Sequence, residues 1–178
     1  MVHKMGVEMP ILMSGGLLMY LVYPFWNRPT FTPVWSVSLQ RALELIAESV
    51  QGEQNDERFY DQLMELAPDS YSSSVVESIR DDERGHKRMF KQIYKNLTGY
   101  SVTEESLKAD RDEEAAEAFS FREGLLKAFQ GELAAVEKYR SIWFGLPYGI
   151  YKDTLYGIIL DEQKHAAKYN HLLITCPA

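Results

Sequence analysis

The chain has 178 residues, 46% of them hydrophobic and 25% charged, with 19 Lys+Arg against 26 Asp+Glu and a formal net charge of −7. That is one domain's worth of sequence with enough apolar matter for a core, which excludes a disordered or fibrous protein. The acidic balance lacks the clustered cations that nucleic acid demands, and the single cysteine, Cys176, excludes an intrachain disulfide, a Cys-x-x-Cys redox pair and a thiolate metal cage.

Between Pro10 and Pro24 lies an apolar run of 13 residues, shorter than the ~20 a spanning helix needs, so no membrane span is expected. Its leading charges are mixed (Lys4, Glu8) and no small-x-small site follows, which argues against a secretory leader and for the cytoplasm. Tyr23 to Trp35, aromatic and punctuated by prolines, reads as an extended arm lying across a bundle surface. The expected organisation is therefore an apolar and aromatic arm over residues 1–37 and a helical bundle over residues 38–178.

From Leu39 the seam positions advance in alternating steps of four and three: Leu39, Leu43, Ile46, Val50, Glu53, Glu57, Tyr60, Met64, Ala67. That spacing is one face of a helix, which Pro68 ends. A second helix carries Val76, Ile79, Glu83, His86, Phe90, Ile93 and Leu97 and stops at Thr98-Gly99. Phe121, Leu125, Ala128, Glu132, Ala135, Tyr139 and Ile142 mark a third. Leu155, Ile158, Glu162, His165, Tyr169 and Leu172 mark a fourth, with Pro147 between the two. Strand-type alternation is absent.

Self-comparison at an offset of 79 residues, without gaps, lays Gln51-Gly52-Glu53 on Gln130-Gly131-Glu132, Tyr60 on Tyr139, Pro68 on Pro147, and Asp82-Glu83 with His86 on Asp161-Glu162 with His165. Two similar helical hairpins therefore fill the bundle. The stretch from Gly99 to about Glu113 is long enough to cross the length of a helix, so the second hairpin starts at the same end as the first. The predicted fold is all-α: a four-helix bundle of two hairpins joined by a long crossover, with connectivity that resembles ferritin-like bundles.

Glutamate or histidine on a seam faces the core, where an unpaired carboxylate costs several kcal/mol. Four glutamates do so at matched depth: Glu53 and Glu132 singly, Glu83 and Glu162 within Glu-x-x-His pairs that put His86 and His165 on the same helix face. Four carboxylates and two neutral imidazoles carry −4, which two divalent cations cancel. Hard oxygen donors with one imidazole per metal suit iron or manganese, and zinc binds to similar sets. Asp82 and Asp161 are placed to accept the second imidazole N–H across the site, Asp82 from His165 and Asp161 from His86. Tyr60 and Tyr139, seven residues after the single glutamates, read as second-sphere phenols or ordinary core tyrosines. Gly52 and Gly131 read as points of close helix approach.

Glu53, Glu83-x-x-His86, Glu132, Glu162-x-x-His165 and the two tyrosines resemble the rubrerythrin-type branch of the ferritin-like di-iron carboxylate proteins over about residues 39 to 173. The resemblance implies that the six residues are iron ligands, with Glu83 and Glu162 bridging two iron ions and the others terminal. It implies an oxidoreductase acting on hydrogen peroxide or dioxygen, and bundles of this kind commonly pair as homodimers. The family's usual rubredoxin module, with its Cys-x-x-Cys site, has no counterpart in this sequence, so electrons are expected from a separate donor protein. The carboxylate usual three residues after the second single glutamate is replaced by Ala135, while Glu57 adds a seam carboxylate to the first half, as an outer group, an entry site for iron or a rim residue. Two alternatives are a ferroxidase that handles iron and a non-catalytic, metal-stapled bundle whose arm binds a partner.

Overall fold

Residues 37–50, 53–102 and 118–176 are described by the structure, a computed structural model. The expected arm, apart from Val37, lies outside the described residues, as do Gln51, Gly52, residues 103–117 of the crossover and the side chains of residues 53–56. The described residues contain five α-helices and no strand: α1 (Leu39–Val50), α2 (Glu53–Glu65), α3 (Ser70–Thr98), α4 (Phe121–Gly145) and α5 (Ile150–Thr175). Together α1 and α2 occupy the stretch that the seam reads as one helix. None of the described helices is long and apolar enough to cross a membrane.

The helix ends follow local chemistry. Pro68 cannot continue a helix, and Asp69 behind it caps α3 by accepting a hydrogen bond from the Ser72 N–H at 2.7 Å. At the other end of α3, Gly99 takes a left-handed conformation, φ 79°, and its N–H donates to Lys95 O at 2.8 Å, the expected glycine stop. The crossover delivers the chain to a capping box, in which Ser120 accepts from the Glu123 N–H and the Glu123 carboxylate accepts from the Ser120 N–H.

Two apolar layers show how the helices run. One gathers Ala42, Ile46 and Val50 of α1, Phe90 and Ile93 of α3, Tyr139 and Ile142 of α4, and Leu155 and Ile158 of α5. The other gathers Leu63 of α2, Val76 and Ile79 of α3, Leu125 of α4, and Tyr169 and Leu172 of α5. The beginnings of α3 and α4 thus share one layer and their ends share the other, so these two helices are parallel and the remaining elements oppose them. That is the ferritin-like connectivity. Glu83, His86, Glu132, Glu162 and His165 fall between the layers on every helix that carries them.

Close approach is supplied by a glycine other than those expected. A Cβ on Gly145 would lie 2.7 Å from Ala42 Cβ and 3.0 Å from Ser38 O, so the end of α4 meets the start of α1 only because that side chain is missing. Gly131 is exposed, with nothing within 4 Å of where its Cβ would be. Its place in the repeat carries no packing role, and Gly52 lies outside the described residues.

Candidate metal centre

The helical register carries five of the six expected ligands to one place. Glu132 is 6% exposed, Glu162 and His165 1%, and His86 2%, and Glu83 is half-buried. One ligand atom from each of Glu83, Glu132, Glu162 and His165 lies within 4.8 Å of the others, a group that could hold a metal ion. His86 joins from the facing side. Its Nδ1 is 3.2 Å from Glu83 Oε1 and 3.1 Å from Glu162 Oε1. Glu83 Oε1 is also 3.1 Å from His165 Nδ1, so this single oxygen sits between both imidazoles. The rings stack with centroids 5.7 Å apart. The Glu53 side chain is outside the described residues, although α2 begins at Glu53.

Behind the imidazoles, the cross-helix pairing read from the sequence is present. His165 Nε2 is 3.1 Å from Asp82 Oδ2, and His86 Nε2 is 3.4 Å from Asp161 Oδ2. An aspartate on Nε2 favours the proton there and leaves the Nδ1 lone pair facing inward. Lys164 Nζ holds Asp161 from outside at 2.6 Å, and Lys168 Nζ donates to Ser78 at 3.1 Å beside Asp82. Each imidazole is therefore fixed from the bundle surface inward.

The donor set fits a metal, and its unpaired atoms are the test. Glu83 Oε1, Glu162 Oε1, His86 Nδ1 and His165 Nδ1 are all buried without a hydrogen-bond partner, although they approach one another to hydrogen-bond distance. Buried polar atoms are rarely left so. Acceptors converging on acceptors are compensated by a cation placed among them, and carboxylate and imidazole donors suit iron, manganese or zinc.

Without metal, protons take that role. Burial disfavours the charged imidazole, but the Glu162 and Glu83 carboxylates outweigh it and His86 is pushed up to about 10. Glu132, Glu162 and Glu83 likewise overcome burial at His165, which rises to about 12. Burial raises Glu132 to about 9, against the pull of His165 and with the push of Glu162. Glu162 moves the other way, to about 2, because His165 and His86 overcome its burial. Among the described residues, bound protons on Glu132 and on the two imidazoles thus offset the negative charge of the cluster.

The outer residues divide. Tyr139 is buried, and its phenol is held well above the ordinary range by burial and then by Glu162, Glu83 and Glu132, with the Ser49 hydroxyl opposing. Its ring packs on Phe90 at 4.9 Å. Tyr60 is half-buried, edge-on to Phe59 at 5.8 Å. Glu57 does not turn to the cluster: Arg84 grips its carboxylate side-on, at 2.7 Å and 2.5 Å, and burial notwithstanding lowers its pKa. Ala135 packs against the first apolar layer. One residue beside the carboxylates was not singled out from the sequence. Tyr169 is fully buried, and its phenol is raised by burial and then by Glu132, with the Tyr60 hydroxyl opposing. The signal for it was available in the repeat, where Tyr169 falls on Phe90.

A two-hairpin bundle with a buried carboxylate and histidine group between apolar layers defines a ferritin-like carboxylate protein with a candidate metal centre. The chain matches the Rubrerythrin family over residues 44–173, which span the whole centre, and it belongs to that family. Comparison with curated proteins and with solved structures gives no match.

Proposed function

We propose that the protein is a di-iron oxidoreductase that reduces hydrogen peroxide or dioxygen, with Glu53, Glu83, His86, Glu132, Glu162 and His165 as the metal ligands. The observation that carries the reading is the set of buried Nδ1 and carboxylate atoms that face one another without hydrogen bonds. Iron bound there supplies the electrons for reducing the oxidant. The chain's own part is geometric and electrostatic. Asp82 and Asp161 hold both imidazoles in one tautomer and orientation. Ile79 and Tyr169 on one side and Phe90 and Ile158 on the other keep bulk water from the level of the site. Tyr139, kept neutral by its surroundings, has a proton to donate as negative charge develops beside the carboxylates. The electrons that restore the site come from a separate donor protein.

The test begins with iron per chain after anaerobic Fe(II) loading and removal of unbound metal. About two per chain are expected, as in other bundles with this ligand arrangement. Glu83→Ala and Glu162→Ala should each abolish paired binding. Glu48→Ala should not, because Glu48 is exposed and pairs with Arg41 on the surface at 3.1 Å. Rapid mixing of the loaded protein with peroxide or with dioxygen then shows which oxidises it faster. Iron near zero in the folded protein, or equal loss in all three variants, would overturn the reading.

A further inference from the structure

Tyr169 is the most deeply buried phenol on α5, at 0% exposure, and its hydroxyl has no hydrogen-bond partner. It stands four residues after His165 and seven after Glu162, on the face of α5 that carries both, so its hydroxyl lies in the electrostatic field of Glu132, Glu83 and Glu162. A buried unsatisfied hydroxyl destabilises a fold, and natural cores seldom retain one without use.

The internal repeat supplies a control for what the ring alone contributes. At the offset of 79 residues Tyr169 falls on Phe90, and Tyr60 falls on Tyr139. Phe90 is 1% exposed and packs its ring on Tyr139 at a tilt of 57°. A phenyl ring therefore meets the packing demand at this position of the bundle. In the second half the same position carries an oxygen as well, with Tyr60 as its phenolic neighbour. Packing does not require that oxygen, and the carboxylates whose field reaches it are hydrogen-bond acceptors.

We infer that Tyr169 is a positioning residue of the metal centre: its hydroxyl donates a hydrogen bond to a ligand carboxylate and so fixes that carboxylate when metal is held. The inference rests on the proposed metal site and adds a group to it. In the metal-free protein the hydroxyl makes no hydrogen bond of good geometry and has the Tyr60 phenol as its polar neighbour, so little of the fold's stability rests on it, which separates this role from a structural one.

The experiment compares the unsubstituted protein with Tyr169→Phe, titrating each with Co(II) and following the visible absorption that reports cobalt's ligand field. Thermal melting of the metal-free forms is measured in parallel. Y169F should melt at the same temperature as the unsubstituted protein or higher, bind Co(II) about 10–100-fold more weakly, the range for loss of an outer hydrogen bond to a ligand, and show a shifted absorption band. Unchanged affinity and spectrum would overturn the inference while leaving the metal site standing. A Y169F protein that melts lower or fails to fold would overturn it too, because the hydroxyl would then belong to the fold. If the unsubstituted protein bound no Co(II), both this inference and the site on which it rests would fall.

Discussion

Glu132→Gln should stabilise the metal-free protein. The Glu132 carboxyl is pushed from the ordinary 4.5 up to about 9, first by burial and against the pull of His165, so at neutral pH it is protonated when folded and ionised when unfolded. A group raised in this way contributes stability that is complete below pH 4.5 and is lost as the pH climbs toward 9. At pH 7 the loss spans 2.5 pH units (7 − 4.5), which at ~1.36 kcal/mol per unit is about 3 kcal/mol. Glutamine matches the shape of the neutral carboxyl and does not ionise in the unfolded chain, so the substitution should recover that amount. For a chain of this size that corresponds to roughly 5–10 °C in melting temperature. The assay is denaturant unfolding of chelator-treated protein between pH 4.5 and pH 8. The advantage of the variant should be small at pH 4.5 and grow steadily with pH. With metal present the order should invert, because only the unsubstituted protein retains the ligand and gains stability by binding. A variant no more stable than its parent at pH 7, or an advantage independent of pH, would refute the argument that Glu132 is a buried protonated carboxyl.

Three further outcomes follow from the geometry. Asp161→Ala and Asp82→Ala free the Nε2 of His86 and His165 respectively. Each should weaken metal binding about 10–100-fold in a competition titration with a colorimetric chelator, with the helical circular dichroism unchanged. Phe90→Ala empties a site that is 1% exposed between α3 and α4 and should cost about 3–5 kcal/mol in denaturant unfolding. Arg84→Ala breaks the half-exposed grip on Glu57; it should cost no more than about 1 kcal/mol and leave iron per chain unaltered, whereas loss of iron would show that Glu57 or its helix depends on that pair.

What was legible in the sequence was whatever recurs at fixed spacing. Glu83 and His86, or Glu162 and His165, share a helix face because residues three apart must, and the offset of 79 residues sets both pairs at one depth, so the crossed Asp82 and Asp161 contacts follow from spacing alone. The stop at Gly99 was legible for a local reason, since it acts on backbone within four residues of itself, whereas the Ser120 capping box was not read. Contacts between helices that no repeat duplicates were not. Glu57 lies on the seam by spacing, yet its carboxylate is claimed by Arg84, 27 residues away, and periodicity along one helix says nothing of which long side chain of its neighbour reaches over. Gly131 precedes Glu132 and reads as a point of approach, but a glycine matters only if something stands where its Cβ would be, and there the space is open. At Gly145 Ala42 stands in that place, and no local pattern announced it.

The repeat is strict in the donors and loose around them, and the two facts have different physical origins. The cluster residues and the aspartates behind them are duplicated in sequence, Glu83 with Glu162, His86 with His165 and Asp82 with Asp161, as Glu53 is with Glu132; under the proposed function, a metal pair asks for the same donors from each hairpin. One step outward the halves part: Ser49 against Ala128, Glu57 against Val136, Arg84 against Gln163 and Phe90 against Tyr169. Packing alone tolerates such exchanges when the volumes are close, but polarity does not exchange freely inside a bundle. Under the proposed function these differences give two matched ligand sets unmatched surroundings. Tyr139 has the Ser49 hydroxyl as its neighbour and Tyr60 has a second phenol, so a pair of metals held by equivalent donors would differ in the hydrogen bonds and field around them. Exchanging Phe90 and Tyr169 together preserves the composition of the core and moves that phenol to the other half, which makes it the substitution pair that separates the donors' contribution from that of their surroundings.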